Sequence, residues 1–314
     1  MKRKVILISL IVLVFAACFI PVTQQKSISI NAPFLNVFVQ LSNPLNWEKW
    51  RADIRPVTLA DSSRIELQKD TSSFEMRYRS HKLNVRLQGY TVFINDAWNK
   101  KLTSYYYIVV PAKQRNTTSV TVYKNVFSII YLIGKITPFS FDDTHVDDLK
   151  RFMETDSLHY GFNIFKTRVP DTNLVEIKRN VLIKDKFTTA ATMKHILEQY
   201  IKKHHVKKTQ PLIAQFLPLG KDSIHINVGF YINKEVKREN DVIFTRMPRG
   251  GPLYCAIYRG RFDHRSKAYT ALHQYFNDHL YQLSILPFEI YLDDKLPLSD
   301  TTKVITQVTF ASYF

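Results

Sequence analysis

The stretch GGPLYCAIYRGRFD, residues 250–263, decides how the second half of this 314-residue chain folds. It is typical of an apolar strand that ends in a turn, and the segment 265–280 that follows carries apolar residues at helical spacing. The stretch LPFEIYLDD, residues 286–294, then begins a short strand after a proline. A last alternating segment, 303–310, completes a strand–helix–strand–strand unit.

The same order of elements occurs once more, earlier in the chain. In both copies a proline, Pro211 or Pro287, opens the strand that follows the helix. Matched positions of this kind indicate a duplicated βαββ unit. The first copy comprises strand 175–183, helix 188–205 and strands 212–217 and 223–232, and the second comprises strands 242–247 and 253–259, helix 265–280 and strands 288–292 and 303–310.

These segments resemble the gyrase-inhibitor-like domain, an effector-binding domain that also follows helix-turn-helix domains in AraC- and MerR-type regulators. The resemblance spans residues 173–314. It implies a concave surface that receives small molecules, often cationic or aromatic, with a carboxylate at the position of Glu289 as the central polar contact. The family's usual second carboxylate is absent, because Gln307 stands in the last strand. The motifs that carry the resemblance are Tyr258-Arg259-Gly260, Phe262-Asp263 and Phe288-Glu289-Ile290-Tyr291.

The residues themselves support a ligand site in the second copy. Alternation places Glu289 and Tyr291 on one face of their strand, and Phe288 and Ile290 on the other. A carboxylate beside aromatic rings suits a cationic ligand through charge pairing and cation–π contact. The alternative is that Glu289 lies on a solvated sheet face and that the aromatic residues are core. The predicted ligand-binding residues are Glu289, Tyr291, Tyr258, Tyr254 and Phe262.

Residues 24–160 show a different pattern. The stretch SISINAPFLNVFVQLSNPLNWEKW, residues 27–50, predicts a strand and two short helical segments, and DDTHVDDLKRFME, residues 142–154, predicts a helix. Several alternating strands lie between them. This order resembles the START-like fold, also called SRPBCC or polyketide cyclase. The resemblance implies an antiparallel sheet that grips a C-terminal helix around an apolar cavity, although the helix here is short.

The N-terminus carries a long apolar run. Lys2-Arg3-Lys4 precede residues 5–22, whose helix would be about 27 Å long, against a hydrocarbon core of about 30 Å. We therefore predict a transmembrane helix within residues 1–23 and a single-pass protein of the inner membrane, with its soluble part outside the cytoplasm. A lipoprotein signal at Phe15-Ala16-Ala17-Cys18 and a cleaved signal peptide are the alternatives. Residues 161–172 are predicted to link the two domains, 24–160 and 173–314.

The fold class is therefore α+β: an N-terminal transmembrane helix, a START-like domain and a duplicated βαββ domain. The net charge of +17 is spread over both halves and attracts anionic partners. No helix-turn-helix segment precedes the last domain, so we expect no nucleic-acid partner. The sequence has no Walker loop, G-x-S-x-G or H-E-x-x-H motif, and we expect no cofactor and no metal.

The predicted function is capture of a small organic ligand by a membrane-anchored protein. The alternative is a hydrolase or cyclase-type enzyme with Glu289 as general base. A third possibility is a module that contacts another protein and retains no working pocket.

Overall fold

A computed structural model describes residues 15, 18–51, 54, 66–70, 72–78, 81–98, 101–114, 116–128, 144–169, 173–247 and 250–313. The chain divides into two compact units, Met1–His159 and Tyr160–Phe314. Each unit has its own apolar core beneath an antiparallel sheet. The prediction of an α+β chain is confirmed in this respect.

The first unit is a sheet with helices packed on one face. Its strands are β1 (Pro21–Ile30), β2 (Glu66–Lys69), β3 (Ser73–Tyr78), β4 (His81–Gln88), β5 (Thr91–Trp98), β6 (Lys101–Pro111) and β7 (Thr118–Phe127). They lie in the order β1-β7-β6-β5-β4-β3-β2. Its described helices are α1 (Phe34–Ser42), a 3₁₀ helix (Pro44–Lys49), α2 (Val146–Glu154) and α3 (Asp156–His159).

The apolar face of α2 packs against the sheet of the first unit. Val146, Leu149, Phe152 and Met153 recur at helical spacing and are all buried against the sheet. Asp147 and Asp148 occupy the first turn, where a carboxylate stabilises the positive end of the helix dipole.

The predicted transmembrane helix is wrong, and with it the predicted single-pass location in the inner membrane. Within the described part of the chain, no helix is long and apolar enough to cross a membrane. Pro21, Val22 and Thr23, at the end of the predicted span, belong to β1 and pair with β7. Their alternation and an available partner strand favour extended structure there. Residues 1–14, 16 and 17 of the predicted span lie outside the described residues.

The second unit contains an eight-stranded sheet and two long helices. Its strands are β8 (Ile164–Arg168), β9 (Asn173–Leu182), β10 (Leu212–Pro218), β11 (Ser223–Tyr231), β12 (Ile243–Arg246), β13 (Pro252–Arg261), β14 (Phe288–Tyr291) and β15 (Lys303–Ala311). They lie in the order β12-β9-β11-β10-β14-β15-β13-β8. The helices are α4 (Lys186–Lys203) and α5 (Ser266–His279), each preceded by a short 3₁₀ turn.

The strand order reflects a duplication. Strands β9, β11 and β10 on one side match β13, β15 and β14 on the other, about the central pair β10–β14. Strand β12 was assigned from the sequence to the second copy, but it pairs with β9 of the first. Strand β8 lies in the segment predicted as a linker and pairs with β13. Each outer edge of the duplicated core is therefore covered by one additional strand.

Candidate functional site

Glu289 lies at the centre of the second unit's sheet. Its strand β14 is bordered by β10 and β15, so that Glu289 is opposite Ala214 on one side and Val308 on the other. The side chain is 0% exposed. This excludes the alternative in which Glu289 lies on a solvated sheet face. Tyr291 packs in the core beneath α4 and α5, whereas Phe288 packs in a separate cluster, as alternation along the strand predicts.

Three donors of the chain itself hold the carboxylate. Arg265 donates from Nε to Oε1 at 2.6 Å, and Tyr269 donates from its hydroxyl to the same oxygen at 2.9 Å. Tyr291 donates to Oε2 at 2.6 Å. Such charge-assisted bonds are about twice as strong as neutral ones. The negative charge of Glu289 is therefore compensated inside the core.

The local sequence explains why these donors converge. Arg265 ends the 3₁₀ turn Phe262–Arg265, and α5 begins at the next residue. Tyr269 follows four residues later, on the same face of the helix as Arg265. The start of α5 therefore points both side chains at β14, while Tyr291 reaches the same carboxylate from within the strand.

The electrostatics keep all three groups in their donor forms. Burial raises the pKa of Tyr291 well above its ordinary value, and the Glu289 charge raises it further. The pKa of Tyr269 is raised by the same two causes. Burial lowers the pKa of Arg265, but Glu289, Tyr291 and Tyr269 together outweigh that effect and raise the pKa overall. The site therefore contains one cation, one carboxylate and two neutral phenols.

Aromatic rings form the wall beside the ion pair. The Arg265 guanidinium carbon lies 3.5 Å from the ring centroid of Phe262 and 5.9 Å from that of Phe216. Phe187, at the start of α4, meets Phe262 edge-on at 5.3 Å between centroids. Lys186 places its ammonium 4.6 Å from the centroid of the Phe187 ring. Cations on ring faces are favourable contacts, and more so when they are partly desolvated.

The structure groups only some of the predicted site residues. Tyr291 bonds Glu289, and Phe262 contacts Arg265. Tyr258 is buried and donates its hydroxyl to the backbone oxygen of Arg261 at 2.8 Å. Tyr254 is also buried, and its ring packs against Phe276, Tyr275 and Tyr281. Ligand contact by Tyr254 or Tyr258 stays a prediction.

Three residues that complete the site were not predicted from the sequence. Arg265, Tyr269 and Phe216 were not among the predicted ligand-binding residues. A signal did exist, because an arginine and a tyrosine four residues apart at a helix start share one face. The long separation between Arg265 and Glu289 in sequence concealed their pairing.

The arrangement limits the chemistry of Glu289. Its two oxygens already accept three hydrogen bonds. A carboxylate can accept about four, so about one acceptor position is left for a substrate proton. Among the residues with a described placement, no cluster of three or more His, Cys, Asp or Glu side chains could hold a metal ion. The site is therefore best suited to binding a ligand through charge pairing and aromatic contact.

The first unit has a separate buried polar cluster. Asp96 accepts a hydrogen bond from Arg51 Nη2 at 2.7 Å, and its other oxygen lies 2.7 Å from His81 Nε2. All three side chains are buried. Burial raises the pKa of Asp96, but the His81 hydrogen bond and the Arg51 charge hold it below its usual value. The carboxylate therefore stays ionised beneath the sheet.

No family model matches the chain, and no curated protein matches its sequence. Among solved structures, the C-terminal domain of EcmrR is similar at 19% identity, covering 48% of this chain and 98% of that chain with a TM-score of 0.40. A hydrolase from Listeria innocua is similar at 12% identity, covering 48% and 92% with a TM-score of 0.37. CalU16 from Micromonospora echinospora is similar at 11% identity, covering 42% and 74% with a TM-score of 0.29.

Proposed function

We propose that this chain binds a small organic molecule at Glu289 in its second unit. The observation that carries the proposal is a fully buried carboxylate held by Arg265, Tyr269 and Tyr291. A buried ion pair adds little stability compared with well-packed apolar residues, because both charges lose their hydration. A role in ligand recognition explains why the Arg265–Glu289 pair lies at a place where apolar residues would stabilise the fold equally well.

The contacts of Arg265 indicate the class of ligand. Its guanidinium is a planar cation that bonds Glu289 and lies on the ring of Phe262. An aromatic organic cation would pair with the same carboxylate and pack on the same aromatic face. We infer that such a ligand competes with Arg265 for Glu289 and displaces the guanidinium when it binds.

Ligand-induced stabilisation of the full chain tests this proposal. The probes are tetraphenylphosphonium and rhodamine 6G, and thermal unfolding is followed by far-ultraviolet circular dichroism. A ligand at ten times its Kd adds about 1.4 kcal/mol to the stability of the unit that it binds. That corresponds to a rise in Tm of about 3–5 °C for a unit of this size.

Two matched variants locate the effect. Glu289→Gln removes the charge at the site and should abolish the shift. Glu176→Gln is the control, because Glu176 is also buried and is bonded by Asn227 and Thr245, each at 2.7 Å. It should retain the shift. If neither probe raises the Tm of the wild-type chain, or if Glu289→Gln responds like Glu176→Gln, the proposal fails.

A further inference from the structure

The outer face of the first unit's sheet carries a row of aromatic side chains. Phe93, Tyr106 and Tyr123 lie directly opposite one another on β5, β6 and β7. Their ring centroids are 5.5 Å and 4.8 Å apart, and the two tyrosine rings are within 10° of parallel. Nearly parallel rings at that separation are offset, so each leaves part of its face uncovered. Arg86 on β4 extends the row, with its guanidinium carbon 5.1 Å from the Phe93 centroid.

This face is opposite the core. The residues that alternate with the aromatic row, such as Val92, Tyr105 and Val122, are buried against the helices. Phe93 and Tyr106 are only partly buried. Three adjacent strands thus expose aromatic surface on the face of the sheet that is not part of the unit's core.

A second row beside the aromatic one is neutral and polar. Asn84 lies opposite Asn95 on the neighbouring strand, and Asn95 lies opposite Ser104. The Ser104 hydroxyl donates to Asn95 Oδ1 at 2.8 Å, and the Thr23 hydroxyl donates to Asn125 Oδ1 at 2.8 Å. These bonds engage the amide oxygens and leave the amide NH₂ groups as donors.

Both rows line one depression of about 290 Å³. Small-molecule sites span roughly 300–1,000 Å³, so this depression suits a short ligand or one segment of a longer one. Of the lining side chains in the described part of the chain, only that of Arg86 is charged. The surface is therefore aromatic and hydrogen-bonding but almost uncharged.

We propose that this face binds a neutral oligosaccharide. The C–H faces of a sugar ring are apolar and pack on aromatic surface such as the uncovered parts of Tyr106 and Tyr123. Its hydroxyls both donate and accept hydrogen bonds, as the amides of Asn84 and Asn95 do. This site is independent of the one at Glu289 and belongs to the other unit.

Other ligand classes fit less well. A nucleic acid strand needs several cations along its phosphates. The nearby cations Arg77 and Lys82 are paired with Glu75, at 2.5 Å and 3.4 Å. A lipid chain would bury the amide donors of Asn95 and its neighbours without partners, at a cost of a few kcal/mol each.

Calorimetric titration of the full chain tests the assignment. The probes are cellohexaose, chitohexaose and maltohexaose, each at up to about 5 mM, with decathymidylate as the competing polyanion. At least one oligosaccharide should bind with a Kd of about 1 mM or tighter. Tyr106→Ala should weaken that binding at least about tenfold, since it removes the central ring. Asn95→Ala should weaken it about two- to tenfold, the effect of one neutral hydrogen bond.

Tyr90→Ala is the matched control, because Tyr90 is an exposed aromatic residue of the same unit outside the depression. It should bind like the wild type. Asn95 is exposed, so its variant tests the site even if Tyr106→Ala fails to fold. The assignment is overturned if none of the three oligosaccharides binds or if Asn95→Ala binds as tightly as the wild type. Binding of decathymidylate alone would assign the face to nucleic acid instead.

Discussion

Arg265 and Glu289 form an ion pair inside the second unit, with Nε 2.6 Å from Oε1. The carboxylate is 0% exposed, and the arginine side chain is 17% exposed. Glu289 is therefore shielded from solvent, whereas Arg265 is partly exposed. Removal of Arg265 would leave the Glu289 charge in the core without its counter-ion.

Arg265→Ala should therefore destabilise the second unit strongly, by about 3–5 kcal/mol. It should also strengthen binding of tetraphenylphosphonium, because the probe no longer competes with the guanidinium. Chemical unfolding followed by circular dichroism, with and without the probe, measures both effects. Arg179→Ala is the control, since its partner Asp241 is 62% exposed and the pair should contribute at most about 1 kcal/mol. Equal probe affinity in Arg265→Ala and the wild type would contradict the competition.

The hydroxyls of Tyr291 and Tyr258, both in this unit, differ in what they bond. Tyr291 donates to the charged Glu289 at 2.6 Å, whereas Tyr258 donates to a backbone oxygen at 2.8 Å. Tyr291→Phe should cost about 1.5–3 kcal/mol and Tyr258→Phe about 0.5–1.5 kcal/mol, because hydrogen bonds to charged groups contribute more. Urea unfolding of both variants measures the difference. Equal losses of stability would show that the Tyr291–Glu289 hydrogen bond contributes no more than the neutral hydrogen bond of Tyr258.

Gly260 is fixed by the ring of Tyr258. A Cβ atom at Gly260 would lie 2.5 Å from the Tyr258 hydroxyl and 2.9 Å from its ring carbon Cζ. Gly260→Ala should therefore displace the ring and destabilise the unit by about 1–3 kcal/mol. The double variant with Tyr258→Phe should recover part of that loss, since it removes the nearest atom. Additive losses in a double-mutant cycle would rule out this contact as the cause.

Short-range patterns predicted much of the second unit. Alternation placed Glu289 and Tyr291 on one face, and helical spacing located the helices that became α4 and α5. The partner of Glu289 was not predictable in this way, because Arg265 reaches it only after α5 packs on the sheet. Pairing across that distance depends on tertiary geometry, which no local period encodes.

The first unit shows the same limit at its N-terminus. Length and hydropathy favoured a membrane helix through residue 23, but strand β1 begins at Pro21 because β7 offers a complete set of backbone partners. Strand β5 was not singled out either, although it lies between β4 and β6 and completes their ladder. Backbone pairing between distant segments decided both outcomes.

The stability of the first unit should depend on acid pH through Asp96. Its pKa in the folded chain is lowered, since the His81 hydrogen bond and the Arg51 charge outweigh burial. Its stabilising contribution is therefore present above the unfolded pKa of 3.8 and is lost as pH falls through the lower folded value. One carboxylate changes the free energy of unfolding by at most about 1.4 kcal/mol per pH unit.

Tryptophan fluorescence isolates this effect, because all three tryptophans of the chain lie in the first unit. Urea unfolding at pH 5 and at pH 3 should show a smaller pH-dependent loss in Asp96→Asn than in the wild type. Glu75→Gln is the control. The pKa of Glu75 is also lowered, first by its hydrogen bond to Arg77, but that pair is exposed to solvent screening. The control should therefore lose as much stability between pH 5 and pH 3 as the wild type does. An equal loss in Asp96→Asn would mean that other carboxylates cause the loss of stability at acid pH.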